Sequence, residues 1–253
     1  MRNNINDDLV SVIMPAYNSE KYIGEAIESV LNQRYKNWEL IIVNDASCDN
    51  TESIIKEYAA KNSKIVLISL SENKGVSNAR NIAVQNARGG FVAFLDSDDI
   101  WESIKLETQL EVIKSSGYDM VFSAYEMVDS NGKFIKFRSV KNSTMFKDLL
   151  KENSIIFSTT VFKKDAIKGI SFNSFWFHED YVFLLECIKK GSKFVSVDKS
   201  LVKYRVHDNG RSFNKFNAAK NRWNIYRRFL NLNIFQSIYY FCFYVLNGLR
   251  KYS

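Results

Sequence analysis

The stretch Phe91-Val92-Ala93-Phe94-Leu95-Asp96-Ser97-Asp98-Asp99 decides how this chain is read. Its first five residues are apolar, rich in aromatic and branched side chains, and preceded by Gly89-Gly90, so they predict a buried strand. The next four carry three carboxylates at the point where that strand leaves its sheet. Clustered hard oxygen donors suit Mg²⁺ or Mn²⁺, which bind proteins through one or two carboxylates and fill the remaining positions with water and substrate phosphates. The plainer alternative is that Asp98 or Asp99 caps a helix beginning near Ile100.

Working outward, Leu9 to Met14 predicts a strand ended by Pro15, the single proline of the chain. Glu20 to Gln33 has apolar residues at helical spacing, Glu39 to Val43 predicts a second strand, and Thr51 to Lys61 a helix. A third strand over Lys64–Ser69 and a helix over Val76–Ala87 lead into Phe91–Leu95. This alternation implies an α/β fold with a doubly wound, mostly parallel sheet. Beyond the acidic cluster, a helix is expected over Glu102–Lys114 and a strand over Met120–Tyr125, with a hairpin turn at Ser130-Asn131-Gly132. Further strands are expected over Ile155–Phe162, Phe194–Val197 and Leu201–Arg205, and a helix over Tyr181–Lys189.

On this map the polar residues converge. Pro15-Ala16-Tyr17-Asn18 follow the first strand, Asn44-Asp45 the second and Asp96-Ser97-Asp98 the fourth. Open α/β sheets bind ligands outside the carboxyl ends of their strands. Three polar strand ends are hard to explain as unrelated caps. No GxGxxG opens a helix after the first strand and no GxxxxGK[ST] occurs, so dinucleotide and P-loop phosphate binding are poorly supported. A strand-end acidic site without a Gly-rich loop can instead hold a nucleoside diphosphate through a metal. Tyr17 can then offer a ring face to a base, Asp45 can accept from a base N–H, and Arg80 can contact a base or phosphate. Each also has a plainer role as packing, turn residue and solvated charge.

Composition bounds the setting. The chain has 253 residues, 46% of them apolar, and a net charge of +7. Cys48, Cys187 and Cys242 are odd in number and form no CxxC, which favours a reducing compartment over a disulfide scaffold or zinc site. The first eight residues contain no apolar core of a leader. Residues 213–253 hold seven Lys/Arg, no Asp or Glu, and 12 of the 36 aromatics, so this tail carries the whole charge excess. Within it, residues 234–246 are 13 uncharged residues, too short to span a bilayer, which takes roughly 20. Leu230, Ile234, Ile238, Phe241, Val245 and Leu249 share a helical face flanked by Arg227, Arg228, Arg250 and Lys251. Such a segment suits an anionic membrane surface, with packing on the core or a dimer partner as the alternative. Nucleic-acid binding fits less well, because the tail is apolar rather than uniformly basic.

Four segments then carry a resemblance. Val10-Ser11-Val12-Ile13-Met14-Pro15-Ala16-Tyr17-Asn18, Ile42-Val43-Asn44-Asp45-Ala46-Ser47, Asn73-Lys74-Gly75-Val76-Ser77-Asn78-Ala79-Arg80-Asn81 and Phe94-Leu95-Asp96-Ser97-Asp98-Asp99 resemble, in order and spacing, the family 2 glycosyltransferases of the GT-A fold. His178-Glu179-Asp180 is similar to that family's catalytic ED segment, and Tyr204-Arg205-Val206-His207 followed by Ser212 to its late YRxH element. Asn44 and Ala46 stand where the family often has Asp and Gly. The C-terminal part is most similar to bacterial surface-polysaccharide transferases of the teichuronic-acid type.

The resemblance implies a catalytic domain over 1–212, with a nucleotide-sugar half at about 9–100 and an acceptor half at about 101–212, and a helical tail over 213–253. It implies inverting transfer of a single sugar from a nucleotide sugar, usually a UDP-sugar, to a glycan or lipid-linked acceptor in surface polysaccharide synthesis. Pro15, Ala16, Tyr17, Asn18, Asp45 and Arg80 would line the nucleotide site, and Asp96 and Ser97 its ribose side. Asp98 and His207 would hold Mn²⁺ or Mg²⁺, and Asp180, or Glu179 in its place, would be the base. Ala219-Lys220-Asn221-Arg222-Trp223 resembles the QxxRW element of processive synthases but lacks its Gln, in keeping with single addition. The expected place is the cytoplasmic side of the membrane. Two other readings remain open: a nucleotidyltransferase, which would want a Gly- and Lys/Arg-rich loop near the first strand, and a non-catalytic sugar-nucleotide or glycan-binding module.

Overall fold

The computed structural model describes residues 6–140, 143–144, 146–153, 155–176, 178–207 and 215–252. Ser212 and the side chains of Leu249, Arg250 and Lys251 lie outside the described residues. The first half follows the expected rhythm: β1 (Asn6–Ala16), α1 (Ile23–Leu31), β2 (Trp38–Asn44), α2 (Thr51–Lys61), β3 (Ile65–Ser69), α3 (Val76–Asn86) and β4 (Gly89–Phe94). Then come β5 (Ile100–Trp101), α4 (Lys105–Ser115), β6 (Met120–Val128), β7 (Phe134–Arg138), β8 (Ser143–Thr144), α5 (Phe146–Lys151), β9 (Val161–Lys163), α6 (Glu179–Lys189) and β10 (Phe194–Arg205). The tail supplies α7 (Lys215–Asn224), a π-helical turn over Ile225–Phe229 and α8 (Ile234–Tyr252).

The sheet runs β3-β2-β1-β4-β9-β6-β10-β5, with β7 paired to β6 and β8 to β10. Its first four strands are parallel, β9 is antiparallel to both β4 and β6, and β10 is parallel to β6. Alternation along the strands feeds two cores. Val10, Val12 and Met14 face one side with Leu40, Ile42, Phe91, Ala93 and Leu95, whereas Ile13, Ile41, Val43, Val92 and Phe94 face the other. Helices cover both faces, which is why the central strands read as unbroken apolar runs.

Several local departures have identifiable causes. Strand β1 passes through Pro15 to Ala16 instead of ending there. Ile13 accepts from Leu95 N and Ala16 from Asp45 N, so the Pro15 nitrogen faces the β4 side beyond the last β4 pair, where the ladder needs no donor. Gly89 and Gly90 belong to β4 because a Cβ there would meet Leu9 O at 2.3 Å and Asp7 O at 2.6 Å. The expected strand Ile155–Phe162 splits into a 3₁₀ turn at Phe157–Thr159 and β9. The two strands expected after Phe194 are one, β10, with register shifts around Ser200. The Ser130-Asn131-Gly132 hairpin forms between β6 and β7, with Gly132 at φ 82°.

The face that the spacing marked is divided: Leu230 and Phe241 pack on the core, whereas Ile234, Ile238 and Val245 stay exposed. Ile225 and Tyr226 are fully buried in the core, Trp223 meets Phe241 edge to face, and the Arg222 guanidinium stacks 3.5 Å from the Tyr181 ring and 4.9 Å from Tyr244. Ser237, Tyr240 and Phe241 point inward, while Ile234, Ile238 and Val245 are exposed with Phe235, Tyr239 and Leu246. Apolar residues surround α8, so periodicity alone did not choose between its faces. Among the described residues no helix is long and apolar enough to cross a membrane.

Candidate active site

The loops at the strand ends are stapled to one another by side chains. After β1, Ser19 N donates to Thr51 Oγ1 at 2.7 Å, Asn18 N donates to Ser47 Oγ and Asn18 Oδ1 accepts from Cys48 N. The Ser19 and Ser97 hydroxyls are 2.8 Å apart, joining the β1 end to the β4 end. Asp45 receives the N–H groups of Lys74 and Gly75, each at 2.8 Å, and so draws the start of α3 to the end of β2. Gly75 adopts φ 84°, a conformation that favours glycine. Asn18 and Ala46 are also left-handed, at φ 46° and 57°. Asn44 donates its amide to Glu52 at 3.1 Å, a bond an aspartate could not make in its charged form.

These loops frame an open cavity of about 710 Å³, within the range usual for small-molecule sites. Pro15, Ala16, Tyr17, Asn18, Asp45, Arg80, Asp96, Ser97, Asp98, Glu179, Asp180 and His207 all line it. The structure therefore brings together every candidate site residue of the sequence, from strand ends and loops up to 192 residues apart, Pro15 to His207. Tyr17 is 48% exposed, its ring open to a ligand.

Arg80 is the electrostatic hub. It is buried, with Nη2 at 2.7 Å from Asp96 Oδ1 and Nη1 at 3.2 Å from Glu179 Oε1. Burial opposes its charge, but Asp96 and Glu179 outweigh burial and hold the guanidinium above its ordinary value. Its Nε has no hydrogen-bond partner among the described residues. Glu179 is buried against this cation, whereas Asp180 is half-exposed and accepts from Tyr181 N at the first turn of α6.

Asp98 and Asp99 behave differently although adjacent. Asp98 Oδ2 lies 2.8 Å from His207 Nε2 at the cavity wall. Burial and the Asp96 charge raise its carboxyl, and the His207 contact opposes them. Asp99 is fully buried and turned inward, accepting from Ser158 Oγ at 2.5 Å and Arg205 N at 2.9 Å. Neither caps a following helix: residues 100–101 are strand β5, and α4 starts at Lys105. No group of three or more His, Cys, Asp or Glu suited to a metal occurs among the described residues. The pair Asp98 and His207, one hard and one borderline donor facing the cavity, does fit a cation that takes its other ligands from water and a diphosphate.

Sequence reasoning missed several supports. Tyr22, just before α1, packs 5.2 Å from the His207 ring and 4.5 Å from the Arg205 guanidinium. Arg205 is buried, donating to the Asp98 and Ser130 carbonyls and pairing with Glu25 at 2.7 Å. Ser19, Ser158 and His178 also join or brace the site; Ser19 and His178 had a local signal as neighbours of Asn18 and Glu179, and Ser158 had none.

Comparison with known proteins agrees with this architecture. Residues 11–175 match the model of Glycosyl transferase family 2. The putative teichuronic acid biosynthesis glycosyltransferase TuaG of Bacillus subtilis (strain 168) is 35% identical over 244 residues, covering 96% of this chain and 97% of its own. The Escherichia coli UDP-Glc:alpha-D-GlcNAc-diphosphoundecaprenol beta-1,3-glucosyltransferase WfgD is 36% identical over 250 residues, covering 98% and 97%. The crystal structure of S. aureus TarS 1–349 in complex with UDP-GlcNAc superposes with a TM-score of 0.72 at 24% identity, over 86% of this chain and 64% of that one. The likeness to TarS shows the fold, which is GT-A. By the match to more than half its length and by these full-length relatives, the chain belongs to glycosyl transferase family 2.

Proposed function

We propose that this protein is an inverting, metal-dependent glycosyltransferase that moves one sugar from a UDP-sugar to a hydroxyl of a lipid-linked saccharide. The observation that carries the reading is the convergence on one cavity of Asp98 with His207, the Arg80 hub and Asp180. The printed names of WfgD, with its UDP-glucose donor and diphosphoundecaprenol-linked acceptor, and of the TarS complex with UDP-GlcNAc support the donor and acceptor classes.

In this account Tyr17 and Asp45 hold the uracil and Asp96 and Ser97 the ribose side. Asp45 already accepts two backbone N–H groups, and its carboxylate keeps lone pairs for a base N–H. Asp98 and His207 would hold Mn²⁺ or Mg²⁺, which would supply Lewis-acid neutralisation of charge growing on the diphosphate. Asp180 removes the proton of the acceptor hydroxyl as its oxygen bonds the anomeric carbon, and the bond from that carbon to the diphosphate breaks on the opposite face, releasing UDP. Glu179 fits a positioning role better than the base, since Arg80 already claims it in a buried pair. A positioned base typically contributes about 10²–10⁴-fold.

The exposed apolar stripe of α8, Ile234, Phe235, Ile238, Val245 and Leu246, lies in a tail bearing seven Lys/Arg and no acid. That combination is complementary to an anionic membrane surface, and it supports a peripheral place on the cytoplasmic face where a lipid-linked acceptor is found.

The test is transfer itself, with UDP-glucose and UDP-GlcNAc as donors and N-acetylglucosaminyl diphosphate on a short alkyl chain as acceptor. Metal-dependent UDP release that needs the acceptor, and a product of inverted anomeric configuration, would support the reading. Binding of nucleotide without any turnover, in parent and Asp180→Asn protein alike, would reduce it to a non-catalytic module.

A further inference from the structure

The hairpin of β6 and β7 rises from the sheet on the cavity side. Strand β9 is antiparallel to both β4 and β6, so β6 runs parallel to β4 and its turn lies at the end of the sheet where the cavity opens. One guanidinium joins the two places: Arg205 Nη1 donates to Ser130 O at 3.3 Å, and its Nε to Asp98 O at 2.9 Å. The turn is closed by Asp129, whose Oδ1 accepts from Asn131 N and Lys133 N, each at 2.9 Å.

The strand that follows this braced turn hides neither face. Residues 133–137, Lys-Phe-Ile-Lys-Phe, are all exposed, with Phe134 57%, Ile135 51% and Phe137 44% open. A solvated antiparallel strand ordinarily turns its apolar residues to a core and its polar ones to water. Here three large apolar groups lie in the open within four positions. The charge around them has one sign, since residues 130–147 hold five Lys/Arg and no Asp or Glu.

We infer that this hairpin docks on an anionic lipid surface, setting Phe134, Ile135 and Phe137 among the headgroups with Lys133 and Lys136 on their phosphates. Exposed aromatic and aliphatic groups interleaved with lysine, without an acid, are complementary to such a surface. The edge itself speaks against a second copy adding a strand. It carries two lysines and a bulge at Ile135, where Met127 pairs with Lys136 but Val128 with Phe134. The contact is separate from the α8 stripe and deepens the transferase reading, on which it rests for its purpose. Docking through this hairpin turns the cavity mouth toward the leaflet that anchors a lipid-linked acceptor. The closed turn holds the strand in place beforehand, so little ordering is left for the membrane to impose.

The experiment is sedimentation of the full chain with vesicles of phosphatidylglycerol and phosphatidylcholine, and with phosphatidylcholine alone. The double substitution Phe134→Ser with Phe137→Ser should lower binding to the anionic vesicles at least about tenfold, with melting temperature and UDP affinity unchanged. The parent should bind the neutral vesicles at least about tenfold less. Phe134→Trp should add emission, over the parent's own tryptophans, that shifts to shorter wavelength on the anionic vesicles and is quenched by brominated acyl chains. That reading decides the matter even where the double variant fails to fold. Equal sedimentation of parent and double variant, no binding by the parent, or no quenching in Phe134→Trp would overturn the inference. If the double substitution instead splits a dimer of the parent and leaves vesicle binding intact, the strand faces a second copy and the inference is wrong. Hairpin-dependent vesicle binding without transfer to any lipid-linked acceptor would remove the transferase reading and leave the docking surface standing.

Discussion

Arg80 and Glu179, 99 residues apart in the chain, form a buried ion pair with Nη1 3.2 Å from Oε1. Through it the end of β4, where Asp96 takes the second arm of the same guanidinium, is tied to the first turn of α6, where Asp180 faces the cavity. The two halves of the proposed site are thus held in register by one cation.

Adjacent acids should therefore separate cleanly on mutation. Glu179→Ala leaves Arg80 buried with a single carboxylate and should cost about 2–3 kcal/mol, lowering the melting temperature by roughly 5–10 °C. Asp180→Asn keeps the acceptor for Tyr181 N and should change stability by less than about 0.5 kcal/mol. Its transfer rate should instead fall about 10²–10⁴-fold. Thermal melts alongside UDP-release rates check the pair; the reverse assignment of losses would make Glu179 the base.

At the end of β2, Ala46 is held at φ 57°, where an L-residue carries a strain of about 1–2 kcal/mol. Glycine escapes that strain but gives up part of the gain through its freer unfolded chain. Ala46→Gly should raise stability by up to about 1 kcal/mol and leave UDP affinity unchanged, as read by urea denaturation and calorimetry.

Lys105 is fully buried, with Nζ 4.0 Å from the Trp101 ring and no hydrogen-bond partner among the described residues. Burial pulls its ammonium well below the ordinary lysine value of 10.5. Between the folded and unfolded values the unfolded chain binds a proton that the folded chain does not, so this group's contribution makes stability rise with pH up to about 10.5. Lys105→Met, of similar shape and uncharged, should stabilise the protein by about 1–3 kcal/mol at pH 7. That advantage should shrink at pH 9.5, and an advantage independent of pH in paired urea melts would contradict the argument.

Removing the tail would strip Ile225 and Tyr226, both fully buried, out of the core, so membrane contact is better probed on the outer face of α8. The double substitution Phe235→Ser with Ile238→Ser should leave the melting temperature within about 2 °C and lower sedimentation with phosphatidylglycerol vesicles at least about tenfold. Unchanged sedimentation would return the stripe to another partner.

What the sequence made legible was whatever depends on neighbours along the chain. Apolar runs marked β1 through β4, and the polar residues that follow those strands share one cavity because parallel strands end on the same side. Partners distant in sequence were hidden. Ser158 interrupts an apparent strand because its hydroxyl accepts from Asp96 N and donates to Asp99, an arrangement with no local trace. Glu179 and Asp180 are chemically alike in sequence, and only Arg80, brought in from α3, tells them apart. The inward face of α8 was likewise set by Arg222 and Trp223, not by its own period.

The most direct measurement is a calorimetric titration of UDP into the full chain, with and without Mn²⁺, repeated in Asp98→Asn. Binding should tighten with Mn²⁺ in the parent and lose that gain in the variant. No UDP binding by a folded sample under either condition would contradict it, as would a metal effect that Asp98→Asn leaves intact.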